Sequence, residues 1–324
     1  MRICIIGDQS DLASVYLGWQ ARQKAVEVVE LPESTLGEDW TFGFDDLEPG
    51  SGWVEQAGKR YPLSAFDGAF IRFNPTPLIP KGLKLTAAQE FSLISERRCG
   101  LQYLADNLPC PVANRPSAGR SNGSKPYQMA VLDRAGLRVP RWLASNDPKA
   151  VAEFAQFFSD GLIYKACSGL RSRVRFLDEQ LTARLDRGTT PVVLQEYIPG
   201  RDVRIHTVGS AAFATQVDGG SGVDYRFESQ GTCYAATIAP ERIEKVCIRV
   251  AQAEGLLIAG FDFRVTHDQQ WFCLEVNPVP SFLPYEIASG QPIAAALLNL
   301  LCQPRTGSPK RRNDSGAQRR AARR

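Results

Sequence analysis

One stretch, IAGFDFRVTHDQQWFCLEVNP at residues 258–278, constrains the fold more than any other part of the chain. Two apolar runs flank a polar turn, and polar residues alternate with apolar ones inside each run, as in an antiparallel hairpin with one buried face. A loop at Asp268–Gln269 and a longer one from His267 to Gln270 give the same register, which sets Asp262 opposite Glu275. Alternation then puts Asn277, Arg264 and Cys273 on the carboxylate face, with Phe261, Phe263, Val265, Phe272, Leu274 and Val276 on the other. Carboxylates facing each other across a ladder repel, so this face needs a compensating charge. Two compensations fit. One is a magnesium ion, which takes one or two carboxylates and completes its shell with phosphate and water. The other is Arg264, neutralising the pair on a solvated face.

Upstream, RICIIG, the helix-like LASVYLGWQARQKA and VEVVEL read as a β-α-β opening, which points to an open α/β sheet. GDQSD is not a G-x-G-x-x-G loop, so no dinucleotide site is expected there. Residues 33–66, rich in Gly, Pro and acids, read as an excursion, and AFDGAFIRF returns as a strand ending in Arg72. Thr86 and Gln89 form a capping box for a helix whose Phe91, Ile94, Leu101 and Leu104 predict one buried face. LPCPVANRPSAG, with three prolines, marks the expected domain boundary. Beyond it come a helix capped by Ser124 and stopped by Gly136, and another running from Asp147 and Pro148 to Gly161. Two strand pairs follow, LIYKACSGLRSRVRFL and PVVLQEYIPGRDVRIHTVG. The last helix before the hairpin is amphipathic, with Ile243, Val246, Cys247, Val250 and Ala253 on one face.

Bulk composition narrows the function classes. A net charge of +3 is misleading, because the tail from Gln303 carries eight basic residues and one acid, leaving a body of 30 basic and 34 acidic side chains. Basicity therefore belongs to a tail, solvated or able to contact an acidic partner such as nucleic acid, and not to the fold. Eight scattered cysteines without a Cys-x-x-Cys pair, and only two histidines, argue for reduced, mostly buried thiols rather than a zinc site. The apolar run at the start is too short for a signal peptide and PIAAALLNLLC is too short for a membrane span, so the expected location is cytoplasmic, with no membrane contact.

Several residues suggest an anion site. Lys165 leaves the strand LIYK before the small, polar ACSGLRS, where a lysine and loop amides can meet phosphate oxygens. Lys125 opens a capped helix, another favourable place for an anion. In VVLQEYIPGRD, an apolar strand leads into residues able to offer backbone groups to an adenine edge, with Asp202 able to accept from ribose hydroxyls. Arg72, ending a strand beside NPTP, suits either a substrate carboxylate or a structural ion pair. The run SFLPYE, with Ser281 nearest the hairpin, is expected on the acceptor side.

Taken in order, Lys125, Lys165, QEYIPGRDVR, DYR, GFDF and LEVNPVPSF resemble the ATP-grasp superfamily over roughly residues 110–290. The resemblance is closest to ribosomal-protein glutamate ligases (RimK-like) and microviridin-type peptide macrocyclases. It implies a Rossmann-like pre-ATP-grasp α/β domain at residues 1–113 and an ATP-grasp small subdomain at 114–198. A C-terminal subdomain at 199–302 and a basic tail at 303–324 complete the expected division. By the same resemblance Lys125 and Lys165 hold ATP phosphates, while Glu196, Tyr197 and Ile198 form the adenine hinge and Asp202 meets the ribose. Asp262, Glu275 and Asn277 hold Mg2+, with two ions expected and Mn2+ an alternative. Arg226 contacts the γ-phosphate or an acyl phosphate, assisted by Arg204. Two features depart from the pattern: the loop after Lys165 has one glycine and two arginines, Arg171 and Arg173, and the Glu196–Asp202 connection is short.

The implied activity is ligation of a carboxylate to an amine or hydroxyl through an acyl phosphate, on a peptide or protein in preference to a small molecule. Small-molecule ligation, hydroxyl phosphorylation and non-catalytic ATP or peptide binding are the alternatives, and dimers or tetramers are usual among the look-alikes. Such chemistry needs positioning and charge rather than a protein nucleophile, in keeping with a sequence that has no triad pattern.

Overall fold

The computed structural model describes residues 1–44, 51–74, 79, 83–158, 161–169, 174–178, 190–219 and 232–303. Arg226, Arg171, Arg173 and the basic tail past Gln303 lie outside the described residues. No helix among the described residues is long and apolar enough to cross a membrane.

The chain begins with β1 (Arg2–Ile6), α1 (Leu12–Gln23) and β2 (Glu27–Glu30), the expected β-α-β unit. Asp11 starts α1 by accepting the Ser14 N–H at 2.9 Å. Where the sequence suggested an excursion, the chain builds a small antiparallel sheet of β3 (Trp40–Gly43), β4 (Trp53–Gln56) and β5 (Lys59–Pro62). Its last hairpin turns on Ala57 and Gly58, both at positive φ (50° and 72°), a turn that alanine disguised. β6 (Gly68–Ile71) and, after α2 (Ala87–Asn107), β7 (Val112–Ala113) complete a parallel sheet in the order β2-β1-β6-β7. The Thr86–Gln89 capping box forms as expected. The buried stripe is shorter than predicted: Leu101, Leu104 and Ala105 reach the core, but Phe91 is 74% exposed.

α3 (Lys125–Arg134) starts at Ser124 as expected and is followed by β8 (Trp142–Ser145). α4 (Pro148–Ala155) has the Asp147 cap but stops well short of Gly161. β9 (Leu162–Ala166), β10 (Arg175–Phe176) and β11 (Val192–Glu196) join β8 in an antiparallel sheet, order β10-β9-β11-β8. A third antiparallel sheet holds β12 (Arg201–Val208), β13 (Ala211–Asp218), β14 (Cys233–Ala236), β15 (Ile258–Val265) and β16 (Trp271–Asn277), order β14-β13-β12-β15-β16.

One face of this five-stranded sheet is the core predicted from alternation. Val203, Ile205, Phe261, Phe263 and Val265 pack against α5 (Glu241–Ala253), whose Val246, Cys247, Val250 and Ala251 are buried. Ala251, not Ala253, completes the helix stripe. α3 covers the edge strand: Gln128 donates to the Val276 carbonyl at 2.8 Å and accepts its N–H at 3.1 Å, so the edge has no open ladder there. At the far end, α6 (Leu283–Ser289) and α7 (Ile293–Leu301) share one apolar cluster with Ile3, Ile5 and Phe70 of the N-terminal sheet and Leu17 of α1. Gly68 is required there, since a Cβ would meet the Leu301 carbonyl. The eight cysteines are all free, but only Cys4, Cys110, Cys247 and Cys273 are buried, fewer than expected.

Candidate active site

The hairpin of β15 and β16 pairs Asp262 with Glu275 and Gly260 with Asn277, as the alternation required. Between Asp262 and Phe263 the register shifts at a β-bulge, so Phe263 faces Cys273 and Arg264 faces Phe272. The expected face assignment therefore fails on the turn side of β16. Cys273 points into the core, fully buried, and its thiol is pushed well up by that burial, while Phe272 crosses to the polar face under Arg138. The bulge leaves Glu275 and Asn277 with Asp262 while dropping the rest of the strand into register with the apolar core.

The charge that compensates the pair is not Arg264. Arg264 donates to Asp202 at 3.0 Å and to the Gly200 carbonyl at 3.1 Å, and lies 5.9 Å from the centre of the Tyr197 ring. Arg204, the cross-strand neighbour of Asp262, takes that place, with Nη1 2.7 Å from each carboxylate oxygen. Glu275, Asp262 and Arg204 thus form one row across three strands. Both partners of the ion pair are largely shielded, at 7% and 14% side-chain exposure, where a broken pair would be costly. His206 continues the polar side of β12 at the same two-residue spacing, and its ring packs edge-on against Tyr285, 4.8 Å between centres. Burial first, and then the Arg204 charge, push its imidazole well below its usual range. The ring is therefore neutral, and since a carbonyl only accepts, Nε2–H donates to Ser281 O at 3.2 Å.

That carbonyl belongs to a loop held at three points. The Pro278 carbonyl accepts from Asn114, the Pro280 carbonyl from Arg72 at 2.9 Å, and the Ser281 carbonyl from His206. Arg72 also pairs with Asp11 at 2.8 Å, the structural alternative weighed for it. Asn114 in addition accepts the Leu257 and Ile258 N–H groups and donates to the Ile258 carbonyl. The segment directly after Asn277 is thereby fixed from both the N-terminal and the central sheet. SFLPYE is less a lining than a support. Tyr285 lies beneath His206, and Glu286 turns away to accept Tyr16 Oη at 2.9 Å and the Ala294 N–H at 2.7 Å, near the start of α7.

Lys165 is buried in β9, and the loop after it folds onto the start of α3. Lys125 N–H donates to Cys167 O at 2.9 Å, Gly169 N–H to Gly123 O at 3.1 Å, and Lys125 Nζ to Ser168 O. The single glycine of this loop has a steric reason: a Cβ at Gly169 would meet the Asn122 carbonyl. The two lysines are thus tied through one strap.

At the end of β11, Glu196 N–H is spent on Arg141 O at 2.8 Å and Tyr197 N–H on Gly161 O at 3.2 Å, while the Glu196 carboxylate accepts Arg141 N–H. Of the three expected hinge residues, Ile198 is left to offer its amide. Asn114, Gln128, His206 and Gly260 were missed in the sequence. Only His206 carried a readable signal, its place in the two-residue series Asp202, Arg204, His206.

The donor set suits a hard cation. Among the described residues no group of three or more His, Cys, Asp or Glu side chains could hold a metal. Two carboxylates and an amide oxygen are instead the incomplete oxygen set that magnesium takes when phosphates and water supply the remaining ligands.

Several known proteins are similar to this chain. Two solved structures share the fold over nearly the whole chain: the ATP-grasp ligase PsnB complexed with a minimal precursor and the macrocyclase MdnC of Microcystis aeruginosa MRC bound with precursor peptide MdnA. The PsnB structure has a TM-score of 0.78 and 24% identity, covering 92% of this chain and 97% of that one. The MdnC structure has a TM-score of 0.79 and 21% identity, covering 93% and 99%. In sequence, the chain is 28% identical over 172 residues to a tetrahydromethanopterin:alpha-L-glutamate ligase of Methanosarcina acetivorans, 47% of this chain and 52% of that protein. It is 25% identical over 193 residues to the alpha-aminoadipate–LysW ligase LysX of Sulfurisphaera tokodaii, 55% and 66%. The matched regions thus span about half to two thirds of these relatives. Residues 123–301, more than half of the chain, match the RimK-like ATP-grasp domain, and the chain belongs to that ATP-grasp family.

Proposed function

We propose that this protein is an ATP-dependent ligase that activates a carboxylate as an acyl phosphate and joins it to an amine or hydroxyl, with a peptide or protein as substrate. The observation that carries the reading is the row Glu275–Asp262–Arg204 with Asn277 on the same face, two carboxylates and a guanidinium held by strand register. Lys165 and Lys125, tied by their strap, would grip the phosphates. The Ile198 amide would meet the adenine, and the Asp202–Arg264 pair would border the ribose. Arg226 keeps the phosphate-contacting role implied by DYR. Mg2+ held by Asp262, Glu275 and Asn277 would neutralise phosphate charge and polarise the γ-phosphoryl group.

In the first step a substrate carboxylate oxygen bonds to Pγ as the bond from Pγ to the ADP oxygen breaks. In the second an amine nitrogen or hydroxyl oxygen bonds to the acyl carbon, phosphate leaves, and the nucleophile's proton is lost. Neither step needs a protein nucleophile; the residues orient the groups and meet the developing charge. Peptide substrates are supported by the precursor complexes of PsnB and MdnC, and amino-acid addition by the names of the two ligases similar in sequence. A cytoplasmic location and a contact between the basic tail and an acidic partner remain part of the same proposal.

The test is mass spectrometry of acidic peptides incubated with the full chain, ATP and Mg2+, with hydroxylamine present to trap an acyl phosphate. Loss of water within a peptide marks cross-linking, and gain of an amino-acid residue marks amino-acid ligation. A hydroxamate that disappears in Glu275→Gln is expected. Phosphate transferred to a hydroxyl with no hydroxamate would make the protein a kinase and overturn the reading.

A further inference from the structure

Resting on the ligase reading of this face, we propose that Arg204 stands in for the metal ion. Its guanidinium neutralises Asp262 while no cation is bound, and it is released toward the phosphoryl group when a cation takes the same oxygens. Metal loading would then arm the arginine.

Three observations support the exchange. Arg204 Nη1 sits 2.7 Å from both Asp262 oxygens, engaging the acceptor positions a cation would use. The backbone makes room for this pose: a Cβ on Gly260 would lie 2.7 Å from Arg204 Cζ and Nε, closer than real Cβ atoms approach. A glycine inside a strand weakens it, and here its lack of a side chain lets the guanidinium lie across β15 to reach the carboxylate. Third, two basic side chains of β12 and β15 are committed elsewhere. Arg264 is engaged by Asp202 and the Gly200 carbonyl, and His206 is neutral. A cation on Asp262 would repel the guanidinium and displace it. Because Arg204 and Asp262 are cross-strand neighbours, the freed head stays within a side-chain length of the metal ligands.

The test is Mn2+ binding to the full chain without nucleotide, read as loss of the free-ion paramagnetic resonance signal, together with thermal unfolding at zero and saturating Mn2+. Arg204→Met removes the charge at similar length, while Gly260→Ala keeps Arg204 but forces it from its seat. Both variants are expected to bind Mn2+ about tenfold tighter than wild type, because the ion no longer displaces a cation. Both should also melt several degrees lower without metal, with most of that loss recovered at saturating Mn2+. Wild-type Mn2+ affinity in both variants, or a melting deficit that Mn2+ leaves unchanged, would overturn the exchange. Glu275→Gln separates the two claims. If it loses Mn2+ while Arg204→Met and Gly260→Ala behave as wild type, the metal site stands and the exchange falls. If it binds Mn2+ as wild type does, the ion is elsewhere and the site reading falls too.

Discussion

Replacing Asn114 by alanine removes four hydrogen bonds from one buried side chain. Oδ1 accepts the N–H groups of Leu257 at 2.8 Å and Ile258 at 3.2 Å, and Nδ2 donates to the carbonyls of Ile258, at 2.6 Å, and Pro278. The residue is 7% exposed, so water does not readily replace these partners. Each bond contributes about 1 kcal/mol net, and a buried N–H left unpaired costs about 1–3 kcal/mol more. Strand pairing of Ile258 with Val208 keeps part of that backbone satisfied, which places the total at about 3–5 kcal/mol. For a chain of this size that corresponds to a fall in Tm of roughly 10 °C. Asn114→Asp is the sharper variant. It keeps the shape and the two accepted bonds but sets an oxygen against two carbonyl oxygens, so it should be at least as destabilising as alanine. Calorimetry of the three proteins decides it. An alanine cost below about 1 kcal/mol, or an aspartate milder than alanine, would refute the account of Asn114 as the pin of the loop after Asn277.

Three further outcomes follow from the same geometry. Lys165→Met should weaken ATP binding at least about tenfold by calorimetric titration, since the buried ammonium is lost from the phosphate strap. Gly169→Ala should also weaken nucleotide binding, although no contacting group is removed, because a Cβ would push the loop off the Asn122 carbonyl. His206 is held neutral with its pKa below the unfolded value, so the unfolded chain binds a proton that the folded chain refuses. Its share of stability is therefore complete above pH ~6.5 and falls by about 1.4 kcal/mol per unit as pH drops below that, until the folded group titrates. In urea unfolding between pH 7 and 5, His206→Phe should show a shallower acid loss than wild type.

The N-terminal β-α-β unit, the helix caps and the Asp262–Glu275 pairing were all legible, because they depend on short-range rules. Caps act over three or four residues, and alternation needs only the two strands of one hairpin. The order of the lysines, the hinge and LEVNP likewise identified the family. What failed were features in which one element answers to another. Nothing in QAGK announced a turn, since alanine at positive φ is tolerated only when the flanking strands pair. Phe91 matched the helical period, yet it stands in solvent while Leu101 and Leu104 are buried.

The site divides the same way. Sequence alone named the candidates for meeting ATP and a cation, because chemistry at fixed alternation is written along the strand. Tertiary structure decided which cation neutralises Asp262. Arg264, two residues away, was the local candidate, but Arg204 wins because β12 lies beside β15 and Gly260 leaves it room, while Asp202 captures Arg264. It also decided that the loop after Asn277 hangs from Asn114, Arg72 and His206, residues 75 to 208 positions away along the chain from the carbonyls they hold. No periodicity connects such distances; only packing of the N-terminal sheet against the central one brings those donors to the carbonyls of Pro278, Pro280 and Ser281.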